Sequence, residues 1–308
     1  MTTEFNTEVV KQQIIDFMTG FTIETTPGSA AKTPDYRVHL RPGTEIAVTF
    51  LPGSDFADTV ATSKRLKEEG FVPLPHFAAR SIKSRDEFEG CLKTLQGEVG
   101  IEHAVALGGA VDKPLGEFES SMQLLETGLF DKYGIKSIGV AGHPEGSPDI
   151  NTSGLREALA WKNSFKERTD SYVYIATQFC FEAEPIIAWD KMIQAEGNQL
   201  PIHLGVPGLA TIKTLLNHAK ACGIGSSMRV LTRQAKNITK LLTVKAPDQL
   251  VMDLARYHAE DPKCGIKKVH MYPLGGMKKS AAWSYAVTDG DFTVDPKGKG
   301  FKVNRDIG

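Results

Sequence analysis

Several features that would point to a particular class of protein are missing from this chain of 308 residues. The four cysteines, Cys91, Cys180, Cys222 and Cys264, lie far apart, and no CxxC pair occurs. This spacing disfavours a zinc site and a disulfide framework, and it fits a protein of the reducing cytosol. No apolar run approaches the length of a membrane span. We therefore expect a cytoplasmic protein without a metal site.

An excess of charge of either sign is missing too. The chain has 36 lysines and arginines against 37 aspartates and glutamates, so that its formal net charge is −1. A nearly neutral protein gives no reason to expect a nucleic-acid or membrane partner. With 41% hydrophobic and 24% charged residues, the composition is that of an ordinary globular protein.

The signatures of several common catalytic sites do not occur. The sequence contains no HExxH, no GxSxG, no GxGxxG and no Gly-Lys-Ser/Thr phosphate loop. Zinc hydrolase and serine hydrolase chemistry are therefore disfavoured.

What the chain does contain is a regular alternation of strand-like and helix-like segments. An amphipathic helix is predicted over residues 5–19, whose pattern is not that of a signal peptide. Strands are predicted over residues 20–28, 45–50, 72–77, 102–107, 137–141, 173–182, 201–206 and 268–272. Helices are predicted over residues 55–69, 84–96, 120–130, 184–196, 210–221, 228–244, 247–260 and 277–287, with one more that Ser153 would cap.

Such alternation implies parallel strands joined by crossover helices. Eight units in about 270 residues match the closed (β/α)8 TIM barrel, and a doubly wound open sheet is the alternative. No repeat, low-complexity tract or linker divides the chain. We predict an α/β protein with one domain over residues 1–308: the helix at 5–19, a barrel with extra helices over about 20–289, and a loose tail at 290–308.

The predicted strands end on polar and small residues. Because the active site of a barrel lies at the carboxyl ends of its strands, these residues are expected at one mouth. A single histidine at such a place is more often structural than catalytic, and Gln178 alone is as well explained by a role in fixing a loop. The whole set is Glu24, Thr49, His76, Gly108-Gly109, His143 with Glu145, Gln178, the bend at Gly205 and Pro207, and Tyr272.

Two features of this set have specific chemistry. A carboxyl group buried in a barrel mouth would have a raised pKa and could act as a general acid, and the set contains two carboxyl groups, Glu24 on the first strand and Glu145 after the fifth. The alternative for Glu24 is a salt bridge to a residue of the rim such as Arg80. The Gly108-Gly109 turn would let a planar ligand or a phosphate approach the backbone closely.

In their order along the chain, the strand ends resemble the methylenetetrahydrofolate reductases, flavin-dependent (β/α)8 barrels of one-carbon metabolism. The resemblance extends over about residues 20–287. It is carried by Phe21-Thr22-Ile23-Glu24 with Pro27, Val48-Thr49-Phe50, Pro75-His76, Val105-Ala106-Leu107-Gly108-Gly109, Val140-Ala141-Gly142-His143-Pro144-Glu145 with Pro148, Thr177-Gln178-Phe179-Cys180-Phe181-Glu182, Gly205-Val206-Pro207-Gly208 and Val269-His270-Met271-Tyr272-Pro273-Leu274.

The resemblance implies an oxidoreductase that transfers hydride between FAD and the one-carbon unit of a folate. Glu24 would be its general acid, and NADH or NADPH a possible electron donor. Gln178, Thr25 and Tyr272 would bind the folate. The flavin would be held by Thr49, His76, Leu107, Gly108, Gly109, Ala110, Ala141, His143, Ser147, Asn163 and Lys166. A folate is the expected partner, and the outer helices of a barrel also offer surfaces for a homo-oligomer.

The chain departs from the family pattern at a few positions. The family's Arg-Gly-Asp turn reads Gly108-Gly109-Ala110 here, and its two aromatic residues after the catalytic Glu read Thr25-Thr26. The motif Tyr is His143 and the motif His is Ser147. These changes leave two alternatives open: a flavin-free reductase that takes hydride directly from a nicotinamide, and a folate-binding subunit of a methyltransferase system without redox activity.

Overall fold

A computed structural model of the chain describes residues 5–221 and 242–307. Its strands are β1 (Thr22–Thr25), β2 (Glu45–Val48), β3 (Val72–Ala78), β4 (His103–Leu107), β5 (Ser137–Gly142), β6 (Tyr172–Phe179), β7 (Ile202–Pro207), β8 (Ala210–Thr211), β9 (Val244–Lys245), β10 (Ile266–Tyr272), β11 (Phe292–Val294) and β12 (Phe301–Val303). Eight of them close into a parallel barrel in the order β1-β10-β7-β6-β5-β4-β3-β2. The predicted (β/α)8 barrel is thus confirmed.

Helices follow the strands as the alternation predicts. They are α1 (Thr7–Met18), α2 (Pro27–Ala30), α3 (Phe56–Glu68), α4 (Arg85–Val99), α5 (Ser121–Glu126), α6 (Leu129–Lys132), α7 (Thr152–Phe165), α8 (Ala183–Ala195), α9 (Ile212–Ala221), α10 (Asp248–Glu260) and α11 (Met277–Thr288). Within the part of the chain that the structure describes, no helix is both long enough and apolar enough to span a membrane.

Local side-chain chemistry sets several helix ends. The Asp55 carboxylate accepts a hydrogen bond from the Ala57 N–H at 2.9 Å at the start of α3. Ser84 does the same for the Glu87 N–H at 3.2 Å at the start of α4, which ends on Gly100 in the left-handed conformation. These groups satisfy backbone donors and acceptors that a helix end leaves free.

Two helix predictions are wrong in detail. The helix predicted over residues 120–130 is two short helices, because Gly128 adopts a φ of 68° and starts a new turn at α6. Ser153 does not cap α7, since the helix begins one residue before it. The side chain of Asn151 instead accepts a hydrogen bond from the Gly154 N–H at 2.8 Å.

The C-terminal segment is not loose, contrary to the prediction. β11 and β12 form an antiparallel pair, and the rings of Phe292 and Phe301 are buried with their centroids 4.7 Å apart. Phe301 also stacks on Trp283 of α11 at 5.8 Å. The Gly- and Lys-rich turn between the strands hid this pairing, which depends on aromatic partners distant in sequence.

The contacts divide the chain into two compact units, which we call the first and the second unit. The first comprises residues 22–142 and 156–176. At its centre the rings of Phe77, Phe88 and Phe130 pack edge to face, with centroids 5.2 to 5.5 Å apart. Such packing of aromatic rings adds to the free energy gained by burying their surface.

The described residues of the second unit are 5–21, 143–155, 177–221 and 242–307. In it β7 pairs with β10 and the C-terminal strands pack on α11. Of the helix predicted over residues 228–244, residues 228–241 lie outside the described residues. Val244 is not helical, because it belongs to β9, which pairs with β8. That residues 1–308 form one domain stays a prediction.

Candidate functional site

In the first unit, Glu24 lies near the carboxyl end of β1 and is half-buried. The Thr49 hydroxyl donates a hydrogen bond to its Oε2 at 3.1 Å. The Thr49 N–H donates to the Thr25 carbonyl at 2.8 Å, which extends the pairing of β1 with β2 by one step. The strand register therefore places a hydroxyl donor beside the carboxylate and orients it.

The neighbouring Thr25 is buried, and its hydroxyl lies 2.6 Å from the Tyr36 hydroxyl. This hydrogen bond fixes the end of β1 next to Glu24. Its contact with a folate stays a prediction.

Arg80 fixes a loop and is not the counter-ion of Glu24. Its guanidinium donates to the carbonyls of Glu119 at 3.0 Å and Val111 at 3.4 Å, and its N–H donates to the Gly108 carbonyl at 2.9 Å. The salt bridge considered as the alternative role of Glu24 is therefore not formed with Arg80.

The turn after β4 leaves the backbone exposed to an approaching group. A Cβ added at Gly108 would have no atom within 4 Å, so that the space beside this residue is open. Gly109 has a φ of +93°, and a Cβ there would lie 3.2 Å from the Cβ of Ala78. The turn thus requires glycine at position 109, while Gly108 provides bare backbone beside open space.

The other predicted flavin contacts of this unit lie in β3, at and after the end of β4, and in or after α7. His76 is buried in β3, opposite Val105 of β4. Leu107 ends β4, half-buried, and Ala110 is exposed in the turn after it. Asn163 donates to the Leu159 carbonyl of its own helix at 3.0 Å, and Lys166 is exposed.

Lys162 is a residue of interest that was not named among the predicted flavin contacts, although the resemblance gives its segment, residues 162–166, to the flavin phosphates. It is only 6% exposed, and its Nζ donates to the Ala141 carbonyl near the end of β5 at 2.8 Å. Burial lowers the pKa of its ammonium from 10.5 to about 8. A signal was present in the sequence, since Lys162 shares the helical spacing of Leu155 and Leu159 on α7.

Because the folded protein binds the Lys162 proton less tightly than the unfolded chain, the free energy of unfolding rises from pH 8 to 10.5. The Lys162→Met variant is expected to lose this contribution, which is at most about 3 kcal/mol. At pH 7 it should be more stable than the wild type by about 1–2 kcal/mol, since it removes the cost of burying the ammonium, which the hydrogen bond to Ala141 offsets only in part.

Urea denaturation gives the free energy of unfolding of the variant and of the wild type at several pH values between 7 and 10.5. The difference between the two proteins at each pH isolates Lys162, because the other titrating groups contribute equally to both. Lys166→Met, at an exposed lysine, is the matched control and should follow the wild type. If the difference in the free energy of unfolding between Lys162→Met and the wild type does not change with pH, the prediction is contradicted.

In the second unit, the backbone around Gln178 is held from several sides. The Tyr272 hydroxyl donates to the Thr177 carbonyl at 2.8 Å, and the Gly205 N–H donates to the Thr177 Oγ1 at 2.9 Å. A Cβ at Gly205 would lie 2.6 Å from the Gln178 carbonyl oxygen, so that only glycine allows this approach. The Gln178 side chain therefore extends from a rigid support.

His143 and Glu145 belong to a tight turn at the end of β5. The Gly146 N–H donates to the His143 carbonyl at 3.1 Å, and Pro144 occupies the second position of the turn. Proline is favoured there because its ring fixes φ. Ser147, the next residue, accepts a hydrogen bond from the Asp149 N–H at 3.3 Å.

The turn and the end of β6 line a small cavity. Its residues are His143, Pro144, Glu145, Gly146, Gln178, Phe179 and Cys180. Cys180 is a second residue that the predictions did not assign to the site.

Among the described residues no cluster of side chains suits a metal ion.

The closed barrel, with polar groups at the ends of its strands, defines the class of the protein as a (β/α)8 barrel. The family model described as methylenetetrahydrofolate reductase matches residues 36–275. The chain therefore belongs to the methylenetetrahydrofolate reductase family. Glu24 precedes the matched range, so that its assignment depends on the motif of β1.

Two individual proteins are also similar to this chain, one in sequence and one in structure. The chain is 27% identical over 141 residues to methylenetetrahydrofolate reductase 2 of Saccharomyces cerevisiae, which covers 45% of this chain and 22% of that protein. An uncharacterized protein from Clostridium thermocellum, described as binding two copies of 5-methyl-5,6,7,8-tetrahydrofolic acid, has a TM-score of 0.50 and 13% identity. That likeness covers 91% of this chain and 97% of the other, and it shows the fold.

Proposed function

We propose that this protein is a flavin-dependent oxidoreductase that interconverts 5,10-methylenetetrahydrofolate and 5-methyltetrahydrofolate. Family membership supports the folate substrate and the reaction class. The observation that carries the proposal is the Glu24 carboxylate, which the Thr49 hydroxyl orients at 3.1 Å at the end of β1. Once protonated, a carboxyl group oriented in this way can deliver its proton to a bound ligand.

Glu24 would protonate N10 of the substrate as the five-membered ring opens to a reactive iminium. When bound, FAD supplies hydride transfer to and from the one-carbon unit. Gln178 and Tyr272 would orient the folate, and Thr25 would lie beside it. The same steps run in reverse when 5-methyltetrahydrofolate is abundant.

The residues of the first unit fit a flavin. A flat ring system with polar edges needs close approach to backbone, and the space beside Gly108 is open to it. Hydroxyl, imidazole and ammonium groups for the polar edges and phosphates come from Thr49, His76 and Lys166. The remaining proposed contacts are Leu107, Gly109, Ala110, Ala141, His143, Ser147 and Asn163.

The test is the visible absorption spectrum of the purified protein, before and after anaerobic addition of 5-methyltetrahydrofolate. A flavin spectrum that bleaches on addition is expected, because the folate would reduce the bound cofactor. Free FAD with the same folate is the control. A protein that stays colourless after incubation with FAD would overturn the flavoenzyme proposal.

The two alternatives predict different outcomes. A flavin-free reductase would be colourless and would oxidise NADH or NADPH when given 5,10-methylenetetrahydrofolate. A folate-binding subunit would bind the folate without turnover until a methyltransferase partner is added. The altered turn Gly108-Gly109-Ala110 is the feature that motivates the first of these alternatives.

A further inference from the structure

The cavity beside Gln178 contains a carboxylate and a thiol that have no role in the function proposed above. Glu145 comes from the turn after β5, and Cys180 directly follows β6. Both lie in the second unit, as does Gln178. The cavity is small, and the Gln178 side chain, the predicted folate contact, lines it together with these two groups.

The Glu145 carboxylate is presented by a fixed backbone. Its turn is closed by the hydrogen bond from Gly146 to His143 at 3.1 Å, and Pro144 restricts the preceding φ angle. Gly146, with a φ of +83°, allows the chain to continue in a direction that other residues rarely adopt. A ligand would thus meet an acceptor whose backbone is ordered before binding.

Cys180 links the carboxylate to the strand that carries Gln178. Its side chain is 1% exposed, its Sγ lies 3.7 Å from the Gln178 carbonyl oxygen, and it hydrogen-bonds with Glu145. Burial, with the nearby charge of Glu145, raises the pKa of the Cys180 thiol well above its ordinary value. The thiol therefore keeps its proton and acts as a donor.

We propose that Glu145 is a substrate-binding residue that accepts hydrogen bonds from the amino-pyrimidine edge of a pterin, beside Gln178. This inference rests on the proposed function, since it specifies how the folate is recognised. A 2-amino-4-oxopyrimidine ring presents two adjacent N–H donors, on N3 and on the 2-amino group. An ionised carboxylate is an acceptor only and can receive both, whereas the Gln178 amide also supplies donors for the ring carbonyl.

The assignment explains why a carboxylate and an amide occur together in one small cavity. Two donors on a flat ring match two carboxylate oxygens in the same plane, and such paired hydrogen bonds to a charged group are among the stronger ones in proteins. A ligand without the 2-amino group would leave one carboxylate oxygen without this donor.

The test is calorimetric titration of the intact protein with 5-methyltetrahydrofolate and with its analogue that lacks the 2-amino group. We expect the wild type to bind the analogue about 10- to 100-fold more weakly. Glu145→Gln should bind 5-methyltetrahydrofolate more weakly by a similar factor and should no longer distinguish the two ligands. Glu184→Gln, at an exposed carboxylate in the first turn of α8, is the control. Like the wild type, it should bind 5-methyltetrahydrofolate more tightly than the analogue.

Each outcome is decisive. If the wild type binds both ligands equally, or if Glu145→Gln loses affinity for both while keeping the preference, the Glu145 assignment is overturned and the proposed function stands. If the wild type binds neither ligand, both proposals fail. The wild-type comparison requires no variant, so that a folding defect in Glu145→Gln would not prevent the test.

Discussion

Replacing Glu24 by glutamine is expected to lower folate turnover by about 10²- to 10⁴-fold, the range that a general acid contributes. Glutamine keeps the size of the side chain and can still accept a hydrogen bond from Thr49, but it cannot deliver a proton. Reduction of the bound flavin by NADH or NADPH should stay within about twofold of the wild type, because that half-reaction needs no acid at N10.

Stopped-flow measurement of the two half-reactions separates these effects. Thr49→Val, which removes the donor at 3.1 Å from Glu24, should cost about fivefold in the folate half-reaction, the value of one hydrogen bond. Glu102→Gln, at an exposed carboxylate paired with Lys136 at 2.6 Å, is the control and should leave both half-reactions unchanged. Folate turnover in Glu24→Gln within tenfold of the wild type would show that another group supplies the proton.

The second large effect is expected at Asp190, a fully buried carboxylate on α8. It accepts hydrogen bonds from the Tyr257 hydroxyl at 2.8 Å, the Gln194 side chain at 3.0 Å and the Gly265 N–H at 3.1 Å. These contacts join α8, α10 and the segment before β10. Asp190→Ala would leave the buried Tyr257 hydroxyl and two half-buried donors without this acceptor, and it should lower the free energy of unfolding by about 3–5 kcal/mol.

Urea denaturation monitored by circular dichroism tests this expectation. Asp190→Asn retains one acceptor oxygen and should cost less than the alanine variant. Asp16→Ala is the matched control, because Asp16 also accepts from a glutamine one helical turn away, Gln12 at 2.8 Å, but is exposed. It should cost no more than about 0.5 kcal/mol. A loss in Asp190→Ala as small as that of Asp16→Ala would contradict the role given to this network.

The barrel itself was predictable from the sequence, because it follows from short-range patterns. Apolar runs bounded by glycine and proline predict strands, and helical spacing between them predicts crossover helices. Position along these strands then places Glu24, Thr49 and Gln178 near carboxyl ends without knowledge of the tertiary structure. Where the local pattern was ambiguous, as at Gly128 and Ser153, the boundaries were wrong by a turn or a residue.

The contacts that give the candidate site its chemistry depend on residues far apart in the chain. The hydrogen bond from Thr49 to Glu24 requires the register of two strands, and that from Lys162 to Ala141 requires α7 to pack against β5. The pairing of β11 with β12 could not be seen either, since Phe301 is stabilised by a ring on another element.

By itself the sequence determined the strands, the helices and the motifs by which the chain resembles its family, because each depends on residues close together in the chain. Only the tertiary structure decided which polar groups become buried and which partner each one has. The pKa of an ionisable side chain depends on how deeply it is buried and on its distance from other charged groups, and both are properties of the packed chain. The sequence placed Glu145 among the polar residues of the barrel mouth, and only the tertiary structure gave the side chain its neighbours Cys180 and Gln178.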